Sequence, residues 1–178
     1  MRHDEAIELI RGAVGAGSGG MWADLGSGDG TFSRALAVLI GPAGVVYAVD
    51  REKSALGRLA KPPDADSAEI RTVVADFTRP LDLPRLQGVL TANALHYVPY
   101  EDQRRVLEHM AALVDPPGSL VVVEYERRNA NPWVPYPIPF EPLRALAREA
   151  GLVDPEHIAT RPSRYSGSIY SALVRLGT

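Results

Sequence analysis

The sequence contains no cysteine. Disulfides, thiolate nucleophiles and cysteine-ligated metal sites are excluded with it. Lysine is nearly as scarce. Of 19 basic residues only Lys53 and Lys61 are lysine, so amine nucleophiles and Schiff-base chemistry have almost no candidates. No apolar run approaches the roughly 18 residues that read as a membrane span. The segment Met1-Arg2-His3-Asp4-Glu5 carries acids where a secretion signal wants only positive charge. These absences predict a cytoplasmic protein with no membrane partner. An excess of positive charge is also missing: the net charge is -3. That argues against a nucleic-acid partner held by a general positive field.

What is present suits a soluble domain. Hydrophobic residues make up 46% and charged residues 23% of the 178 residues, enough for one proper core and too few for two. A single domain over 1–178 is expected. Helical spacing over 4–14 (DEAIELIRGAV) predicts a short amphipathic helix, and GAGSGG (15–20) reads as a linker. Apolar strands are predicted at 21–25, 45–50, 69–76, 88–93 and 119–126, with helices at 31–40, 52–60 and 100–114. Gly41-Pro42, Pro62-Pro63 and Asp115-Pro116-Pro117-Gly118 read as stops. The segment 127–142 holds Pro132, Pro135, Pro137, Pro139 and Pro142, which forbid a continuous helix. A helix at 142–151 and two strands around Tyr165-Ser166-Gly167 complete the chain. Strands alternating with helices predict an α/β fold. The expected form is a doubly wound, seven-stranded, mostly parallel sheet with helices on both faces and an antiparallel last strand. The apolar runs are continuous, as in strands covered on both sides.

The segment DLGSGDGTF (24–32) carries the most chemistry. It follows a predicted strand and opens a predicted helix, the turn at which doubly wound sheets hold nucleotide-like ligands. Gly26, Gly28 and Gly30 would let the backbone approach a ligand; glycine turns are also common for their own sake. A dinucleotide loop is G-x-G-x-x-G, whose third glycine serves a helix aimed at a pyrophosphate. Thr31 stands there instead. Asp24, just before the loop, suits an amino group and opposes a phosphate. Asp50, at the end of the second strand, suits a pair of ribose hydroxyls; the alternative is a solvated turn aspartate. Asp76, closing the third strand, could accept from an adenine amino group with Phe77 covering the ring; the alternative is an Asx turn. Three strand-end acids beside one glycine turn weigh more than any one of them.

On these residues the sequence resembles the class I S-adenosylmethionine-dependent methyltransferases. The resemblance runs through MWADLGSGDGTF (21–32), VVYAVDREKSAL (45–56), VVADFTRPL (73–81), GVLTANALHYV (88–98) and PPGSLVVVEYE (116–126). It implies that S-adenosyl-L-methionine is bound and leaves as S-adenosyl-L-homocysteine. It implies Asp24, Gly26, Ser27, Gly28 and Gly30 around the methionine part, Asp50 on the ribose with Arg51 beside the adenine, and Asp76 and Phe77 on the adenine. Asn93 and Ala94 would line the pocket near the sulfonium. The resemblance also implies a last strand inserted antiparallel between its neighbours. About 20 residues precede the first strand, so the N-terminal substrate cap common in relatives is expected to be reduced.

A sulfonium methyl is already electrophilic, so in-line placement of the acceptor does most of the catalysis and a base helps only where a hydroxyl must lose its proton. His96 is the candidate base, with a packed histidine as the alternative. Glu124 and Tyr125 are expected to face the same crevice, and Tyr97 to line the acceptor pocket. Trp133, Tyr136 and Phe140 in the proline-rich stretch would form an aromatic lid, or pack as a rigid connection. His3, His109 and His157 read as surface residues. The expected partner is a small-molecule acceptor; the acceptor atom and oligomeric state are open. A nicotinamide-dependent reductase shares the fold, but Thr31 and the lack of a Tyr-x-x-x-Lys pair oppose it. A non-catalytic cofactor-binding module is a second alternative. RNA or protein methylation is a third, disfavoured by the absence of a basic tail.

Overall fold

The apolar runs become β1 (Gly20–Leu25), β2 (Gly44–Asp50), β3 (Glu69–Val74), β4 (Leu86–Ala92), β5 (Val114–Tyr125), β6 (Glu156–Pro162) and β7 (Ser168–Leu176). The helices are α1 (His3–Ile10), α2 (Thr31–Ile40), α3 (Lys53–Leu56), α4 (Tyr100–Ala112) and α5 (Phe140–Glu149). The structure is a computed structural model that describes residues 1–57, 59, 65–163 and 167–177. The strands form one sheet in the order β3-β2-β1-β4-β5-β7-β6, with β7 antiparallel to both of its neighbours. This is the expected fold, including the inserted antiparallel strand. Tyr165 and Ser166, read as the hairpin turn, and the Pro62-Pro63 stop lie outside the described residues.

Both faces of the sheet are covered, and β5 shows how. Val121 and Val123 join one core with Leu9, Leu36 and Ile40 of α1 and α2. Leu120 and Val122 join the other with Val106 and Met110 of α4 and Leu143 of α5. Successive side chains of a strand point to opposite faces, so a strand buried twice must be apolar throughout. All four residues are fully buried. The chain leaves β1 for β2 on one side and returns to β4 on the other. The ends of β1 and β4 therefore flank the crevice where an open α/β sheet reverses direction and binds its ligands.

Several boundaries differ from the sequence reading. The first helix ends at Ile10, because Gly12 and Gly15 carry no helix-stabilising side chain. The third helix is short, four residues before Gly57. The third strand ends at Val74, so Asp76 lies in the loop beyond it and does not close it. The helix before Asp115-Pro116-Pro117-Gly118 does end, at Ala112, but the run is not a loop ahead of the strand; it is absorbed into β5 as an irregularity, the register passing from Leu86↔Val114 to Gly88↔Ser119. A bulge leaves residues out of the ladder, and proline needs no ladder donor there.

Candidate functional site

The glycine turn is built by backbone hydrogen bonds from its neighbours. The Gly26 and Ser27 amides donate to the Val49 carbonyl at 2.9 and 3.0 Å. The Gly28 amide donates to Asp50 Oδ2 at 2.8 Å, and the Glu52 amide to Asp50 Oδ1 at 2.8 Å. One carboxylate thus ties the turn after β1 to the end of β2. Gly28 and Gly30 both have left-handed backbone, at φ 52° and 79°, but for different reasons. A Cβ on Gly30 would lie 1.9 Å from Leu59 Cδ2, whereas one on Gly28 would meet nothing within 4 Å. Leu59 is fully buried and has nowhere to go. Gly30→Ala is therefore expected to lower the melting temperature with a cost of ~2 kcal/mol or more, from overpacking plus left-handed strain. Gly28→Ala should lose only ~1 kcal/mol of stability, from strain alone, and its methyl enters the open space above the turn. Melting curves with and without ligand separate the two.

That open space is a cavity of about 300 Å³ lined by Gly26, Gly28, Asp50, Arg51, Asp76, Phe77, Asn93, Ala94 and Tyr97, among others. Asp76 Oδ1 accepts from the Thr78 amide at 3.0 Å and the Thr78 hydroxyl at 2.7 Å. Partial desolvation raises its pKa, but the two Thr78 bonds and the charges of Arg79 and Arg51 outweigh it and hold the carboxyl below its ordinary value. Asp76 is thus an anion as well as the anchor of an Asx turn.

Asp24 lies beneath the turn and does not line the cavity. It is 1% exposed. Its Oδ2 accepts from Ser33 Oγ at 2.6 Å, while Oδ1 is buried with no partner among the described residues. Burial pushes its pKa up to about 7, the Ser33 bond opposing and the charges of Asp50 and Asp29 adding. An unfolded aspartate titrates near ~3.9, so between ~4 and 7 the folded chain keeps a proton that the unfolded chain releases. Stability then falls as pH rises through this window, by on the order of a few kcal/mol, and is flat above it. Asp24→Asn removes this titration. The ligand-free wild type should lose more melting temperature than Asp24→Asn between pH 5 and pH 8.

A second cavity, of about 480 Å³, shares Asn93 and Tyr97 with the first and is further lined by His96, Tyr125, Arg127, Asn131, Trp133 and Val134. Asn93 stands on the boundary. It is the one non-glycine residue with positive φ among the described residues, at 52°, and its Oδ1 is buried without a partner. His96 sits in a 3-10 turn, Leu95–Tyr97. Its Nδ1 lies 2.6 Å from Glu124 Oε2, and its amide donates to Glu124 Oε1 at 3.2 Å. Both side chains are 2% exposed or less. The other ring nitrogen, Nε2, has no hydrogen-bond partner among the described residues. A carboxylate on Nδ1 selects the tautomer with the proton on Nδ1 and a lone pair on Nε2.

The structure brings most of the sequence candidates together and separates others. Ser27 is buried, its Oγ has no partner among the described residues and, like Asp24 and Gly30, it lies outside the cavity lining. Glu124 and Tyr125 do not face the same crevice, because consecutive residues of β5 point to opposite sides. Tyr125 lines the second cavity, and Glu124 reaches it through His96. Tyr136 is not in the lining: its ring stacks edge-on against Tyr100 at 5.4 Å and its amide donates to the His96 carbonyl at 3.0 Å. Phe140 packs on His157 and Tyr170. Of the expected lid only Trp133 lines the cavity, 74% exposed. His109 is not simply a surface residue, since its Nδ1 is buried with no partner among the described residues. Sequence reasoning missed Thr78, Arg127 and Asn131. Thr78 had a signal, an Asp two residues before a Thr. Asn131 had one in Asn-Pro, a turn starter; its Oδ1 accepts from the Trp133 and Val134 amides at 3.0 and 2.7 Å. Arg127 had none.

Residues 23–118, more than half of the chain, match the model of a family described as a methyltransferase domain. No curated protein sequence matches the chain. An arsenic(III) S-adenosylmethionine methyltransferase from Chlamydomonas reinhardtii is similar over 98% of this chain and 70% of its own, with TM-score 0.71 and 20% identity. A 1,6-didemethyltoxoflavin-N1-methyltransferase from Burkholderia thailandensis, solved with 1,6-didemethyltoxoflavin and S-adenosylhomocysteine, is similar over 99% and 78%, with TM-score 0.70 and 20% identity. Human N-acetylserotonin methyltransferase, in complex with SAM, is similar over 98% of this chain but 52% of its own, with TM-score 0.69 and 17% identity. The chain thus spans about half the length of that enzyme. These likenesses establish a shared fold. Among the described residues no helix is long and apolar enough to cross a membrane.

Proposed function

The chain belongs to the methyltransferase-domain family, and from that premise we propose that it moves the methyl group of S-adenosylmethionine to a small molecule bearing a hydroxyl. The observation that carries this reading is the pair of adjoining cavities that share Asn93 and Tyr97, one bordered by Asp50 at the end of β2 and Asp76 in the loop after β3, the other by a carboxylate-oriented histidine. The residues fit the methyl donor. Acids at Asp50 and Asp76 are acceptors for ribose hydroxyls and a purine amino group, and Phe77 lies where it would cover a ring. Asn93 Oδ1 is an acceptor lacking a donor among the described residues, and at Gly28 no side chain fills the cavity. Arg51 would lie beside the adenine and Ala94 near the sulfonium. Asp24, Ser27 and Gly30 would support the methionine end from beneath.

When bound, S-adenosylmethionine supplies an electrophilic methyl carbon whose bond to sulfur breaks as the bond to the acceptor oxygen forms. The protein's own share is placement and one proton. Tyr97 and Asn93 set the boundary across which the acceptor faces the donor. His96 Nε2 takes the hydroxyl proton, and Glu124 holds the ring in the tautomer that can. Trp133 and Tyr125 wall the acceptor side and thin the water there. Tyr136 acts at one remove, fixing the His96 carbonyl.

The test is calorimetry with S-adenosylhomocysteine, followed by a methyl-transfer screen over hydroxylated metabolites. Binding near a micromolar Kd and transfer to at least one hydroxyl are expected. A folded protein that binds neither S-adenosylhomocysteine nor S-adenosylmethionine sinks the reading.

A further inference from the structure

The second cavity is chemically lopsided, and its asymmetry describes a ligand. Its walls are largely rings. The His96 imidazole has Tyr97 at a centroid distance of 4.4 Å and Tyr125 at 5.8 Å, and Trp133 closes the outer side. Anything that brings a proton to Nε2 must lie among these aromatic faces. A flat aromatic body gains the most there, from buried area and ring-ring contact together.

Against this apolar wall stands one guanidinium. Arg127 is half-buried, and its Nε donates to the Asn129 carbonyl at 2.8 Å. Its two terminal nitrogens make no hydrogen bond or ion pair with the described residues. Among the described residues no carboxylate lines the cavity: Glu124 lies behind the imidazole with both oxygens turned to His96. A half-desolvated arginine fork with its outer donors free is complementary to a planar oxyanion, above all a carboxylate, which it can grip with two parallel bonds. The same charge, beside a sulfonium donor, repels an ammonium acceptor.

We infer that the acceptor is a planar aromatic acid, with a phenolic or enolic hydroxyl at His96 Nε2 and a carboxylate on the far side of the ring paired with Arg127. This rests on the methyl-transfer reading above and names its substrate class. About 480 Å³ leaves room for one ring with a short acidic side arm, and for a fused pair of rings.

The full chain saturated with S-adenosylhomocysteine is titrated by calorimetry with 4-hydroxybenzoate, 4-hydroxycinnamate and the methyl ester of each. At least one acid should bind about tenfold or more tighter than its ester. Arg127→Gln should erase that preference by weakening the acid and not the ester, and Arg127→Lys should restore part of it. S-adenosylhomocysteine affinity of the variants, which Arg127 does not touch, reports that they are folded. Equal affinity of acid and ester in the wild type overturns the inference. So does an acid preference that survives Arg127→Gln, or failure of both acids to bind the loaded protein. If S-adenosylhomocysteine itself gives no heat, the underlying reading has failed; if it binds normally and no acid preference appears, this inference alone has failed.

Discussion

Replacing Asp50 by alanine is expected to weaken S-adenosylhomocysteine binding by about a hundredfold while leaving the fold intact. The carboxylate faces two ways. Inward, its oxygens accept the Gly28 and Glu52 amides at 2.8 Å each and so hold the glycine turn against the end of β2. Outward, each oxygen keeps further acceptor capacity for a ribose hydroxyl. Hydrogen bonds to a charged group are worth roughly 1.5–3 kcal/mol each, and about 1.4 kcal/mol is a factor of ten. Losing two such bonds to the ligand gives the hundredfold figure before any loosening of the turn. Asp50 is half-buried at the rim of the sheet, so water can replace it on the two amides and the melting temperature should fall by only a few degrees. Asp50→Asn is not a mild control, because its amide nitrogen must face one of the two backbone donors. A folded Asp50→Ala protein that binds within threefold of the wild type would remove Asp50 from the ligand.

The acids at positions 50 and 76 were legible because a strand's end is a local property. An apolar run stops, an acid follows, and the parallel sheet brings such ends to one edge. The doubly wound, mostly parallel sheet followed from the same pattern, and its inserted antiparallel strand from the resemblance. Arrangements set by packing were not legible. Glu124 and His96 are 28 residues apart, and which side of β5 Glu124 faces depends on register. The alternation rule alone forbade Glu124 and Tyr125 from sharing a crevice, and the sequence reading did not apply it. Pro116 and Pro117 read as the end of the preceding helix, and α4 does end ahead of them; that β5 already begins at Val114 was not legible, because an irregular pairing with β4 needs no proline donor there. Tyr136 and Trp133 looked alike in a proline-rich stretch. They part because Asn131 turns the chain back on itself and Tyr100 takes the Tyr136 ring.

Substituting the His96–Glu124 pair should produce the largest kinetic effect. A positioned base contributes about 10²–10⁴-fold, so His96→Ala should lower kcat for a hydroxyl acceptor within that range and leave S-adenosylhomocysteine affinity within about threefold. The same change takes the ring N–H donor away from the buried Glu124 carboxyl, and stranding a buried acid in this way can cost several kcal/mol. Lost activity in that variant therefore has to be separated from lost fold. Glu124→Gln does this. The glutamine has nearly the same shape, but one of its two terminal atoms is now a donor. If its oxygen stays on Nδ1–H, its nitrogen opposes the His96 amide, which donates to Glu124 Oε1 at 3.2 Å. If the nitrogen turns to Nδ1, the ring must carry its proton on Nε2 and can no longer accept one from the acceptor. Glu124 is in this sense a positioning residue, and Glu124→Gln should cost about 10²-fold in kcat with a smaller loss of melting temperature than His96→Ala. The decisive comparison is between acceptors. The acceptor 2,4-dinitrophenol, which arrives already ionised at neutral pH, needs no base. Its turnover should drop by about tenfold or less in both variants, while that of an ordinary phenol drops by the full amount. Equal losses for the two acceptors would mean that His96 packs the wall and takes no proton.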